Sequence, residues 1–485
     1  MQSFPEKISA VMRENVERMK EYFHLDKTVK YHFFSAGKAE CCVVFIDGMT
    51  NSALINEYVI KPAAQASLKA APEERLAHLE KDVVQAGETS QQESWSELLQ
   101  ALVRGDSLVF CDGCARALIV GSKGYERRSI SEPDGEVVMK GPREGLTEVL
   151  LSNIAMLRRK VCSEKLRFEF FELGETTKTA CCICYIDGTA DARVLAELRE
   201  RAGRIRIDGV LDSNYVTELI RENRFSPFRN VGTTERPDIV AAKLLEGRAA
   251  MLVDGSPVAI TVPHIFIEHL QSNEDYYISF YFAGINRMLR LIGFLLSVSI
   301  APVYIAMVTH HHELLPTTLL VMISHARQGV PFSSLSEALI LLLAFEVMRE
   351  AGSRMPSQMG QTLSVVGALV VGQAAVAASM VSAPMLIVIA FSGVTGLISP
   401  KLKSVVIIAR VGLILMADAM GMYGYVMGMI WLAANLASQR SFGVPMLASV
   451  PLMEAGDGED SFVRAPFNRM KKFGRFLAGE KHGKN

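Results

Sequence analysis

Two strings in this 485-residue chain have the residue types for metal or redox chemistry: Cys111-Asp112-Gly113-Cys114 and His310-His311-His312-Glu313. A closed zinc site takes about four ligands, and a thiol–disulfide motif opens a helix. Here a single CxxC pair ends a β-rich run, and the related string later in the chain, Asp254-Gly255-Ser256, has no cysteine. The histidines stand between a long apolar run and Leu314-Leu315-Pro316, where they read as the polar cap of a helix leaving a membrane. No metal site and no cofactor is expected from either. Asp-Gly recurs at Asp47, Asp112, Asp187 and Asp254, and carboxylates can do acid–base work. At a strand end, however, Asp-Gly is turn chemistry, because Gly takes positive φ and Asp bonds its own backbone. No P-loop, GxSxG, HExxH or dinucleotide fingerprint occurs, and nothing argues for an enzyme.

Charges in apolar surroundings are the remaining candidates. Residues 289–436 are nearly continuous Leu, Val, Ile, Ala, Met and Gly, with Arg327, Glu337, Glu346, Arg349, Arg410 and Asp418 set within or beside them. Charge at membrane depth is costly and lines an interior path or pairs with another charge. At least one Arg–Glu pair is expected among Arg327, Glu337, Glu346 and Arg349. Within 361–380 a stripe of small side chains steps by three or four residues through Ser364, Ala368, Gly372, Ala375 and Ser379. Such a stripe serves close helix packing or a pore wall, and the residues alone leave both open. The pore-lining candidates are Gln361, Ser364, Val365, Ala368, Val371, Gly372 and Ala375, with Val365 or Val371 as an apolar constriction.

The elements that must hold these residues fall into two halves. Cys41-Cys42-Val43-Val44-Phe45-Ile46-Asp47-Gly48 matches Cys181-Cys182-Ile183-Cys184-Tyr185-Ile186-Asp187-Gly188, and residues 105–113 parallel 247–255. Each is a buried strand stopped by a turn, with a helical stretch after the first of each pair. Two similar α/β modules follow, joined by a helical stretch at 144–160, and then an α-helical polytopic membrane domain. The expected divisions are 1–140, 141–275, a membrane domain over 276–440 with about six segments (one a candidate re-entrant segment), and a basic cytoplasmic tail over 441–485. Segments 314–327 and 335–348 read as too short and too charged for ordinary spans, and 405–435 as long enough to turn near Asp418, Gly421 and Gly424. A net charge of −1 gives no basic face for nucleic acid. All eight cysteines lie in the first half, most in apolar runs that suit a reducing compartment. The N-terminus lacks the apolar core of a signal peptide, and the modules are expected in the cytoplasm.

Longer strings carry a family resemblance. They include Gly141-Pro142-Arg143-Glu144-Gly145, Asn153 with Arg158-Arg159, Ile207-Asp208-Gly209-Val210-Leu211-Asp212-Ser213, Thr234-Glu235-Arg236-Pro237-Asp238, Gly329-Val330-Pro331-Phe332, Gly372-Gln373-Ala374-Ala375-Val376 and Arg440-Ser441-Phe442-Gly443-Val444-Pro445. In these the chain resembles, end to end, the A subunits of bacterial spore germination receptors, the GerA family, with its stage V sporulation AF relatives. The resemblance implies a subunit in the inner membrane of a spore, with its N-terminal modules on the core side. Its implied partners are a nutrient-binding B subunit and a lipoprotein C subunit, or a small membrane partner in the stage V case. It further implies a homo-oligomeric ring, a pentamer favoured, whose helices form a nutrient-gated cation channel. A non-conducting scaffold is the alternative.

Overall fold

A computed structural model describes residues 6–37, 39–66, 72–124, 135–136, 138, 140–223, 226–354, 372–448 and 464–466. Helix α1 (Met12–Tyr22) precedes a five-stranded sheet of β1 (Val29–Ala36), β2 (Ala39–Ile46), β3 (Thr89–Gln92), β4 (Ser107–Cys111) and β5 (Ala117–Val120), with α2 (Trp95–Val103) packed on it. The spatial order is β1-β2-β4-β5-β3. The second sheet is built from β6 (Leu166–Leu173), β7 (Thr179–Ile186), β8 (Gly232–Thr234), β9 (Ala249–Val253) and β10 (Ala259–Val262) in the order β6-β7-β9-β10-β8. Strand for strand this is the same topology, and every paired neighbour is antiparallel. The register repeats too, Cys41 facing Cys111 and Cys181 facing Val253.

The duplication reaches further upstream than strand patterns reveal. Helix α3 (Leu150–Lys160) is the counterpart of α1 and belongs to the second module, so 144–160 is more than a connector. In the first copy Asn15 Oδ1 accepts from Ser9 N at 2.9 Å, and Asp112 Oδ1 from Met12 N at 3.3 Å. In the second, Asn153 Oδ1 accepts from Thr147 N at 2.7 Å, and Asp254 Oδ1 from Leu150 N at 3.0 Å. A carboxylate against the free N–H groups that open a helix is favourable for the helix dipole. Asp112 and Asp254 are therefore structural, and Gly48, Gly113, Gly188 and Gly255 at the four strand-end Asp-Gly turns have φ between 73° and 84°. Between the modules, Arg158 is fully buried and pairs with Asp26 while lying over the Phe168 ring.

After α4 (Ala192–Gly203), α5 (Ser213–Ile220) and α6 (Pro237–Leu245) the chain enters an apolar helical region. Among the described residues two apolar helical runs, Phe280–Thr309 and Pro400–Ser438, are long enough to cross a membrane. Helix α7 (Phe280–Thr309) leads away from the modules and is followed by α8 (Thr317–Arg327) and α9 (Ser334–Arg354). Helix α9 has 21 residues, longer than the 335–348 segment expected; toward its distal end Glu346 pairs with Arg349 and with Arg410. Helix α10 (Ala383–Leu397) returns to the modules, where Ser399 Oγ donates to the Arg290 carbonyl at 3.3 Å.

Helix α11 (Lys403–Ser438) is interrupted at Gly421, whose φ of 63° and ψ of −142° are non-helical. A Cβ on Gly424 would collide with the Met416 carbonyl, and one on Gly428 would lie 2.5 Å from Leu413. In a continuous helix residues 413 and 428 stand about 22 Å apart. The chain therefore folds back at Gly421. Lys401, which donates to the Gln271 carbonyl at 3.4 Å, and Arg440, bonded through its carbonyl to Asn230, both end at the second module. At the opposite end His310 Nε2 hydrogen-bonds the Asp418 carbonyl at 2.6 Å, and His310 and His311 pack on Gly421.

Candidate functional site

The charged residues of the helical region meet in two places. Glu337, on the first turn of α9, is fully buried. Its Oε2 accepts from Ser382 N at 3.1 Å and Ser382 Oγ at 2.7 Å, which caps the start of α10, and its Oε1 faces Arg327 Nε at 3.8 Å. Two turns further along α9, Glu346 pairs with Arg349 on its own helix and with Arg410 of α11 at 3.3 Å. Arg410 Nη1 also donates to Ser392 Oγ at 3.1 Å, and Ser392 Oγ donates to the Ser297 carbonyl at 2.7 Å. A polar line thus crosses the bundle from α9 through α11 and α10 to α7. The structure brings Arg327 to Glu337 and Arg349 to Glu346, and adds Arg410 as the second cation on Glu346. Of the pore-lining candidates, Gln361, Ser364, Val365, Ala368 and Val371 lie outside the described residues. Gly372 is buried, with room for a Cβ only 3.3 Å from Leu386, and Ala375 is half-buried.

The densest charge constellation sits where the second module meets the helices, and residue patterns gave no sign of it. Asp275 is fully buried and accepts from Arg287 Nε at 3.1 Å and Arg290 Nη1 at 2.8 Å, both on the first turns of α7. Arg464 donates to the Asp275 carbonyl at 2.6 Å. Beside it, Glu268 pairs with Arg248, with Lys243 at 3.1 Å and with His264 Nδ1 at 3.1 Å, while Arg248 also meets Glu246 at 2.9 Å. Burial alone would raise the Glu268 carboxyl, but Arg248, Lys243 and His264 together hold it well below the usual carboxylate range. Burial pushes His264 down, with Glu268 opposing, and pushes His269 well down, helped by the neighbouring imidazole. The two rings stand edge to face, 4.6 Å apart.

Two strings from the sequence also converge here. Arg236 is bidentate to Asp238 and donates to the Pro142 carbonyl at 2.6 Å. Asp238 in turn accepts from Tyr277 Oη at 2.8 Å and Asn273 Nδ2 at 2.6 Å. Gly141, at φ 123°, leaves space for the Tyr277 ring, which any Cβ would strike. Through Asn273 and Tyr277 this network joins the second module to the segment leading into α7. It fixes the angle at which α7 leaves the module, since each buried charge is satisfied only in one arrangement.

Most of the cysteines are interior residues, Cys162 being the exposed one. All eight are free, and seven are buried. Burial pushes the Cys42 and Cys181 thiols up to about 12, far from the thiolate that redox or metal chemistry needs. Among the described residues no group of three or more His, Cys, Asp or Glu is placed to hold a metal.

A family model described as Bacillus/Clostridium GerA spore germination protein matches residues 17–475. The chain belongs to the GerA family. Among curated relatives it is 37% identical to spore germination protein KA of Bacillus subtilis, over 96% of this chain and 86% of that one. It is 31% identical to spore germination protein B1 of the same organism, over 96% and 97%. It is also 35% identical to the B. subtilis membrane protein YfkQ, over 96% and 91%. Among solved structures it is similar to the N-terminal domain of the A subunit of the Bacillus megaterium spore germinant receptor GerK3, with 30% identity and a TM-score of 0.43 over 55% of this chain and 99% of that one.

Proposed function

We propose that this GerA-family chain is the A-type membrane subunit of a spore germination receptor. Copies assemble into a closed ring, five being favoured, whose helices form a nutrient-gated channel for monovalent cations. The observation that carries the reading is the polar line through Ser297, Ser392, Arg410, Glu346 and Arg349 inside an otherwise apolar bundle. A membrane anchor has no use for charge at that depth, whereas a moving or conducting bundle does. The outward faces carry exposed Leu343, Ile387, Phe391 and Trp431, which suits lipid or a second copy. One chain cannot enclose a path by itself; a ring operator completes it. The N-terminal modules and the chain's return at Arg440 share one side, taken as the cytoplasmic, core side of the spore inner membrane. B and C subunits, or a small membrane partner for a stage V AF-type amplifier, complete the complex.

Ser364, Ala368, Gly372 and Ala375 remain the proposed pore wall, with Val365 or Val371 as the apolar gate. The test is reconstitution of the full chain in liposomes. Crosslinking is expected to give a closed oligomer, and Val371→Ala to leak potassium without stimulus. Strict monomers in intact membranes overturn the channel. A second reading, a non-conducting signalling subunit, is favoured by the buried charge network that ties the modules to the helices. It predicts an unchanged response in Ala368→Phe, which a pore does not allow.

A further inference from the structure

The chain's path after its last apolar helix has no role so far. Helix α11 ends at Ser438, and β11 (Arg440–Ser441) pairs with β12 (Val444–Pro445) across a two-residue turn. The turn residues Phe442 and Gly443 both have positive φ, 50° and 79°. That is the geometry of the tight turns that suit a two-residue hairpin, but positive φ is costly for an aromatic residue and persists only when surroundings impose it. Here they do. Phe442 is 2% exposed and belongs to the core of the second module with Leu198, Ile220 and Val262. Arg201 lies over its ring at 4.4 Å and is itself held by Glu222 at 2.9 Å. Glu222 also accepts from Gly443 N at 3.3 Å.

Ser441 is the second attachment. Its Oγ donates to the Asn230 carbonyl at 2.5 Å and accepts from His264 N at 2.9 Å, bridging two segments of the module at the junction. Phe266 N donates to the Met446 carbonyl at 2.9 Å, and Met446 N to the Gln439 carbonyl at 3.0 Å, so the hairpin is also tied to the end of α11. No flexible residue intervenes between helix end and hairpin: the chain reads Ser438-Gln439-Arg440, with Gln439 buried. The second half of α11, beyond the reversal at Gly421, is thus fastened at its base to the interior of a soluble module.

We propose that the Arg440–Pro445 hairpin is a strut through which the second module sets the position of residues 422–438, with Phe442 and Ser441 as its positioning residues. Movement of the module's helices α4 and α5 around Phe442 then shifts residues 422–438 about Gly421, whose backbone is already outside the helical range. This deepens the receptor reading, because it names the part of the bundle that a signal received by the modules moves. It does not depend on conduction.

The test is amide exchange on the full chain in lipid nanodiscs. Leu198→Ala, or the milder Val194→Ala where the first does not fold, weakens the second module's core. Exchange in 422–438 is expected to accelerate at least tenfold along with the module. Two glycines inserted between Gln439 and Arg440 are expected to leave the module's acceleration intact and hold 422–438 within twofold of the unperturbed chain. Phe442→Ala is expected to act like the insertion, and Phe442→Leu to retain the coupling. Equal responses with and without the insertion, or coupling intact in Phe442→Ala, overturn the proposal. Since no readout uses ion flux, coupling without conduction overturns only the channel.

Discussion

Replacing Asp275 by Asn keeps the shape of the junction and removes the charge at its centre. Asp275 is fully buried, Arg287 is 2% exposed at its side chain and Arg290 16%, and their nitrogens stand 3.1 Å and 2.8 Å from one carboxylate oxygen. Breaking a buried pair by altering one partner costs roughly 3–5 kcal/mol, since the other charge stays buried without compensation. Asn retains one acceptor oxygen and Arg290 reaches some water, so the lower end applies, about 3 kcal/mol. At about 1.4 kcal/mol per decade this is on the order of a 150-fold rise in local opening. Amide exchange over 287–291 in nanodiscs reads it directly. Adding Arg287→Met to Asp275→Asn removes the stranded charge and is expected to recover most of the loss, to about 1 kcal/mol. A change below about threefold in Asp275→Asn would put this pair on the scale of an exposed one, and the argument from burial would fail.

Lowering pH loosens the same junction. His264 and His269 have folded-state values depressed below the ordinary 6.5, so the unfolded state binds more protons and stability falls as pH drops below about 6.5, by up to a factor of ten per pH unit for each ring. Glu268 keeps its charge through this window, being held well below 4.5, so a thermal midpoint that does not fall between pH 7.5 and 5.5, or that falls equally in His269→Leu, contradicts the assignment. Glu337→Gln leaves Arg327 facing a neutral amide and is expected to impair assembly or response with both sheets folded; wild-type behaviour of Glu337→Gln and Glu346→Gln together argues against the pairing role. Leu413→Cys with Gly428→Cys is expected to crosslink readily, because the chain reverses at Gly421. Failure to crosslink under mild oxidation implies a continuous helix. Gly421→Ala places a Cβ 2.8 Å from His310 and forces a strained backbone, at a cost of roughly 1–3 kcal/mol.

What the sequence determined follows from local chemistry. A continuous run of β-branched residues, aromatics and cysteines that ends at Asp-Gly needs only its own apolar length and a glycine at positive φ, so 41–48 and 181–188 announced the duplicated sheets. Apolar length from about 289 onward announced a helical region, in which the observed helix Phe280–Thr309 starts earlier, and the cost of burying charge gave the expectation of an Arg–Glu pair where Arg327 stands 3.8 Å from Glu337 and Arg349 lies beside Glu346. Choosing those partners took three dimensions: Arg410 stands 64 residues from Glu346 and carries no local mark of the pairing. The role of 144–160 was hidden because the Asp254 carboxylate that opens α3 comes 104 residues later. Asp275, Glu268 and Arg248 carry no local mark of their pairing, and only packing between module and helices removes them from water. Phe442 is the clearest case. In sequence it is one aromatic residue after a helix, and it becomes a core residue of a module some 180 positions earlier only because α11 turns at Gly421 and brings the chain back.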